Sequence, residues 1–94
     1  MCIMLIEAAL GKQFETLRDK YMEKPQPGTD STFAKGSMHP NPKEALKLDD
    51  DKVHVPCGKQ VSSGVNGSSF MHNEKVIYRK EQCRIRYLLM CKSK

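Results

Sequence analysis

Apolar residues crowd the two ends of this chain and thin out between them. They concentrate in residues 2–10 and 76–91, and the long stretch in between shows only a weak pattern. A compact domain seldom holds so long a segment without strong periodicity. The two end segments must therefore do most of the burying. Leu, Ile, Val and Phe together make up about a fifth of the 94 residues, near the floor for a self-sufficient core. The expectation is one loop-rich domain at most, or part of something larger.

The opening run MCIMLIEAALG is apolar on both alternating faces, which predicts a buried strand over residues 2–10. It lacks the basic n-region of a signal peptide, and Glu7 interrupts it. It is also far short of the roughly 20 apolar residues that span a bilayer, so neither a membrane partner nor secretion is expected. A buried strand starting at residue 2 has no earlier partner in the sequence, so an N-terminal half is expected beyond it. Gly11 ends the run. Phe14, Leu17 and Tyr21 in KQFETLRDKYMEK then fall at helical intervals, predicting one or two helical turns. Pro25, Pro27 and Gly28 stop these. STFAKG reads as a short strand, KEALKLDDD as a helical turn or an irregular edge, KVHVPCG as an extended piece and SSGVNGSS as a loop. The fold class is thus α+β, mostly antiparallel β, with one minor helix.

Charge is uneven. Residues 75–94 hold seven Lys or Arg and one Glu, whereas the rest hold nine basic and ten acidic side chains. A basic C-terminal strand pair suits either the wet face of a sheet or a polyanion. Three Tyr and three Phe offer little base stacking. A small basic nucleic-acid-binding β protein stays open as an alternative, and a steep salt dependence of binding would mark it.

The usual chemical motifs are missing. SSGVNGSS is no phosphate loop, no G-x-S-x-G or G-x-G-x-x-G occurs, and Ser62 and Ser63 have no evident base. Cys2, Cys57, Cys83 and Cys91 are expected as reduced intracellular thiols. His54 and Cys57 stand in H-x-x-C spacing, with His39 and His72 as further ligands on paper, but no second close pair supports zinc. The three Asp at 49–51 read as a solvated turn. No metal is expected.

One acid stands out. FMHNEKVIYRKEQCRIRYLLM, residues 70–90, reads as two strands with a short connection, the first over residues 70–78. Alternation places Phe70, His72, Glu74, Val76 and Tyr78 on one face, and Ile85, Tyr87, Leu89 and Cys91 on one apolar face of the next strand. From spacing alone, Glu74 is an edge-strand acid paired with Arg84 or Arg86.

The order of IEAALG, VPCG, SSGVN, HNEKVIY and RYLL resembles the C-terminal half of the poly(ADP-ribose) polymerase (PARP) catalytic domain. Within that family, KPQPGTDSTFAKG and EQCRIRYLL are most similar to the mono-ADP-ribosylating, DNA-break-responsive branch. The resemblance implies a partial ADP-ribosyltransferase fold over residues 1–94, with the N-terminal half of the donor site absent. It implies NAD⁺ as substrate, acceptor proteins as partners and a nuclear location, with DNA sensed only by regions N-terminal to this segment. Glu74 matches the family's catalytic glutamate, which holds the 2′-hydroxyl of the nicotinamide ribose, and His72, Asn73, Ser63 and Gly64 would be its donor- or acceptor-side neighbours. Such a carboxylate must stay ionised while partly buried, which calls for donors around it.

Two departures qualify the match. His72 and Lys75 stand where the family usually has Tyr, and His72 on the acceptor side favours mono-transfer. The family's His-Gly pair, which grips the donor, does not occur in the 94 residues. The chain alone is therefore expected to be inactive, and a truncated, non-catalytic regulatory or binding product is the other alternative.

Overall fold

In the computed structural model, which describes residues 1–92, the chain forms nine strands and two single-turn 3₁₀ segments. The strands are β1 (Cys2–Ala8), β2 (Gln13–Thr16), β3 (Ser31–Ala34), β4 (Met38–Pro40), β5 (Leu46–Leu48), β6 (Val53–Val55), β7 (Gln60–Ser62), β8 (Glu74–Ile77) and β9 (Cys83–Met90). They assemble as β1–β9, β2–β3–β8, β4–β7 and β5–β6. All pairs are antiparallel except β2–β3. The fold is mostly antiparallel β with almost no helix.

The helical turns expected around Phe14, Leu17 and Tyr21 do not form. Residues 13–16 instead pair in parallel with β3, from Gln13 opposite Ser31 to Thr16 opposite Ala34. So short a helix is marginal without packing, and a strand partner outweighs its weak periodicity. The 3₁₀ turn at Pro42–Glu44 is the outcome for KEALK, with Asn41 Oδ1 accepting from Lys43 N at 3.0 Å. Asp49, Asp50 and Asp51 all take left-handed backbone in the β5–β6 turn, a conformation that Asp tolerates better than most residues.

The best-covered element is β3, the middle strand of its sheet. Ser31, Thr32 and Ala34 are buried. Their polar atoms are bonded: Ser31 Oγ donates to Leu10 O at 2.7 Å, and Thr32 Oγ1 meets Tyr78 Oη at 2.7 Å. Gln82 is the other buried polar side chain. It donates to Ala9 O at 3.2 Å and Asp30 O at 2.9 Å, and accepts from Tyr78 N at 3.3 Å and Arg79 N at 3.1 Å. One amide thus ties the end of β1, the approach to β3 and the end of β8.

Both apolar end segments depart from expectation. They pair with each other, so β1 is not without a neighbour, yet neither is buried. Leu5 is 46% exposed and Leu88 63%, because among the described residues the β1–β9 ribbon forms a two-stranded sheet of its own. The last two strands, adjacent in sequence, do not pair with each other: β8 joins β3, and β9 crosses to β1. The accessible surface is 7665 Å², against about 5,500 Å² for a compact monomer of this mass. No helix among the described residues is long and apolar enough to cross a membrane.

Candidate functional site

Gly36 is the pivot of the site. Past β3 the chain turns there into β4, and residues 70–78 divide opposite it. Residues 70–72 run beside Ser37 and Met38, with Ser37 N donating to Phe70 O at 3.0 Å, Met38 N donating to Met71 O at 2.8 Å, and a bridge between Met38 and His72. Residues 74–77 run antiparallel to β3, with Glu74 opposite Ala34. Asn73 joins the two halves, and its Oδ1 accepts from Gly36 N at 2.8 Å. Gly36 is buried so closely that an added Cβ would lie 2.6 Å from His72 Cα and 2.8 Å from Asn73 N. Ser63 closes the other side, donating from Oγ to Gly36 O at 2.6 Å while its backbone N bonds Ser37 O at 2.9 Å.

Three sequence-distant segments therefore meet: the end of STFAKG, the SSGVN loop and the HNE turn. Ser63 and Asn73 share a shallow recess of about 260 Å³ with Phe33, Lys35, His39 and Val65. Gly64 flanks it with left-handed backbone (φ 79°). His72 and Glu74 are exposed at its side and do not line it. Sequence reasoning did not place Gly36 or His39 at this recess. A glycine directly after a short strand was the one available signal for Gly36, and His39 had entered only as a zinc ligand on paper.

Glu74 is not paired with Arg84 or Arg86. Both arginines instead bind Glu7, Arg86 Nη1 at 2.6 Å and Arg84 Nη2 at 3.1 Å, because β9 lies against β1. Those hydrogen bonds, first from Arg86 and then from Arg84, hold the Glu7 carboxyl below the usual glutamate range. Among the described residues no group donates to the Glu74 carboxylate, and the surround of donors expected of a partly buried acid is not built around it. Lys75 does not neutralise it either. Alternation turns Lys75 to the opposite face, where its amine lies 3.8 Å from the Phe33 ring centre and donates to Gln13 Oε1 at 2.8 Å. Desolvation there lowers its pKa, against the raising effect of Glu15.

The histidines and cysteines named on paper for zinc stay apart. His54 Nε2 bonds Asp51 O at 2.9 Å, Cys57 Sγ donates to Glu44 O at 3.8 Å, and His39 and His72 lie on other segments. Among the described residues no three His, Cys, Asp or Glu side chains converge as a metal cluster would require. All four cysteines are free thiols.

The arrangement is that of a β scaffold presenting one carboxylate at a strand end beside a clamped glycine and a Ser-Gly loop. Comparison with known proteins gives it a family. The profile of the poly(ADP-ribose) polymerase catalytic domain matches residues 1–93. The chain is 41% identical over 92 residues to poly(ADP-ribose) polymerase 1 of Arabidopsis thaliana, an alignment covering 98% of the chain and 9% of that protein. It is also 41% identical over 91 residues to the protein mono-ADP-ribosyltransferase PARP3 of Mus musculus, covering 93% of the chain and 17% of that protein. The chain belongs to the poly(ADP-ribose) polymerase catalytic-domain family. It spans from 9% to 17% of the length of these relatives, and its identity to the two is the same whether the relative is named for poly- or for mono-transfer.

Proposed function

We propose that this chain supplies the carboxylate-bearing wall of an NAD⁺-dependent protein ADP-ribosyltransferase site, with Glu74 as its catalytic residue. The observation that carries the reading is the contrast at Glu74 between backbone and side chain. The backbone is pinned by the pairing with Ala34 and by the adjacent Asn73–Gly36 bond, while the carboxylate has no protein partner among the described residues. A fixed strand end with an unengaged acid suits a group that must accept from a ribose 2′-hydroxyl. Cleaving the nicotinamide N-glycosidic bond builds oxocarbenium-like charge on the ribose, as in glycoside hydrolysis. An ionised carboxylate beside it stabilises that charge more in the transition state than in the ground state.

Asn73, Ser63 and Gly64 act by shaping the wall. His72, exposed beside the acid, faces the acceptor, which leads us to mono-transfer onto a protein side chain. The nuclear, DNA-break-responsive setting rests on the resemblance to that branch. The donor grip is another matter. With no His-Gly pair in the 94 residues, the chain alone does not position NAD⁺, and an unpositioned acid contributes little.

The test is ADP-ribose transfer from NAD⁺ to protein, read by mass spectrometry. The chain is assayed alone and mixed with the separately produced upstream part of the Mus musculus relative's catalytic domain. Transfer is expected only in the mixture, and Glu74→Gln should lower it by at least about 100-fold. A Glu74→Gln mixture as active as the parent would overturn the assignment. Glu74-dependent transfer by the chain alone would overturn its inactivity in isolation.

A further inference from the structure

Glu74 sits between two anchored neighbours. Asn73 before it is held to Gly36 N. Lys75 after it, which stands where the family usually has Tyr, is held on the reverse side of the sheet. Register sets Glu15, Phe33 and Lys75 in one row across β2, β3 and β8, on the face that alternation also gives to Gln13 and Lys35. Glu74 lies on the other face with Phe14, Thr32 and Val76. The Lys75 amine lies 3.8 Å from the centre of the Phe33 ring, well inside the ~6 Å reach of a cation–π contact. It also donates to Gln13 Oε1 at 2.8 Å. One side chain of β8 thus crosses β3 and ends on β2, and among the described residues no other hydrogen bond or cation–π contact joins those two edge strands.

We propose that Lys75 is a positioning residue for Glu74: strapped over Phe33 to Gln13, it holds the start of β8 against β3 and so fixes where the neighbouring carboxylate is presented. The inference rests on the reading of Glu74 as the catalytic acid. Three observations carry it. The Glu74 side chain has no protein partner among the described residues, so its backbone alone decides where the acid stands. That backbone begins a strand of only four residues at a sheet edge, too short to resist fraying by pairing alone. No other cation takes the place of Lys75 on the ring, since the Lys35 amine lies 5.9 Å from its centre and is paired with Glu15 at 3.3 Å. Ring and sheet also take water from the Lys75 amine, which is why desolvation lowers its pKa. A substrate held by the Glu74 carboxylate lies across the sheet from this amine, so Lys75 acts through the strand and not as a grip on the donor.

Two readouts test the strap. In the whole chain, amide hydrogen exchange followed by NMR reports how firmly Glu74 is held. Lys75→Met keeps the aliphatic stem and, at an exposed position, opens no cavity. It should quicken exchange at Glu74 by about 5–30-fold while the amides of β1 and β9 stay within about twofold. Lys75→Arg, whose guanidinium stacks on rings and donates, should return Glu74 to within about threefold of the parent. In the mixture with the upstream part of the Mus musculus relative's catalytic domain, Lys75→Met should lower kcat at least about tenfold and leave KM for NAD⁺ within about twofold. Phe33→Leu should act alike, and the double variant should lose no more than the worse single one. The proposal is overturned by unchanged exchange at Glu74, by quickening spread evenly over all strands, by a rise in KM without a fall in kcat, or by losses that simply add. The exchange readout needs no activity and decides by itself whether Lys75 holds Glu74. A Glu74→Gln mixture as active as the parent would sink the catalytic reading beneath the proposal, whereas an inactive Glu74→Gln beside an unimpaired Lys75→Met would sink the strap alone.

Discussion

Replacing Gln82 by Ala tests whether one buried amide holds the body of the molecule together. The side chain makes four hydrogen bonds, at 2.9, 3.1, 3.2 and 3.3 Å, to backbone groups of Asp30, Arg79, Ala9 and Tyr78. A net contribution of about 0.5–1.5 kcal/mol each, taken at its lower half because three of the four are long, gives a loss of about 2–4 kcal/mol. Domains of this size are stable by roughly 5–14 kcal/mol, and the meagre burial puts this chain near the bottom of that span. With a urea slope of about 1–2 kcal/mol/M, the unfolding midpoint seen by far-UV circular dichroism should fall by roughly 1–4 M. Gln82→Glu sharpens the test. It keeps both acceptor bonds but turns a charge towards the Ala9 and Asp30 carbonyls, so at neutral pH it should cost more than Ala, with partial recovery in acid as the carboxyl regains a proton to donate. A loss under about 0.5 kcal/mol for Gln82→Ala, or Glu tolerated as well as Gln at neutral pH, would refute the hub.

Gly36→Ala should destabilise by about 1–3 kcal/mol, since its Cβ meets backbone rather than a movable side chain. Amide exchange at Gly36 and Glu74 should quicken together if Asn73 couples them, and unchanged exchange at Glu74 would break that link. Glu7 predicts an acid-labile ribbon. Its folded pKa is depressed, so its contribution is fully present above the unfolded glutamate value of about 4.3 and is lost as the pH falls through that value and then through the folded one. Glu7→Gln should abolish this pH dependence in urea titrations recorded between about pH 5 and 2, and a slope that survives the substitution would assign it to other groups.

Local pattern and spacing reached a good part of this molecule. STFAKG formed β3, KVHVP formed β6, and SSGVN became a strand end and loop, because β-branched residues bounded by Gly and Pro leave a chain few other options. The spaced motifs from IEAALG to RYLL carried the family. Partner choice was out of reach. Whether Phe14 and Thr16 sat in a helix depended on β3 arriving alongside. Which acid Arg84 and Arg86 would bind depended on β9 crossing to β1 rather than folding back on β8.

By itself, then, the sequence marked where several of the strands lie, STFAKG and KVHVP among them, and which residue is the candidate for the chemistry, since steric preference, alternation and turn chemistry act within a few residues. Tertiary structure alone decided the rest: Asn73 and Ser63 closing on Gly36 from opposite sides, Gln82 joining three segments, and Glu7 taking both Arg84 and Arg86. These depend on residues dozens of positions apart meeting within a hydrogen bond's length. That is set by global pairing and register, which no local pattern encodes.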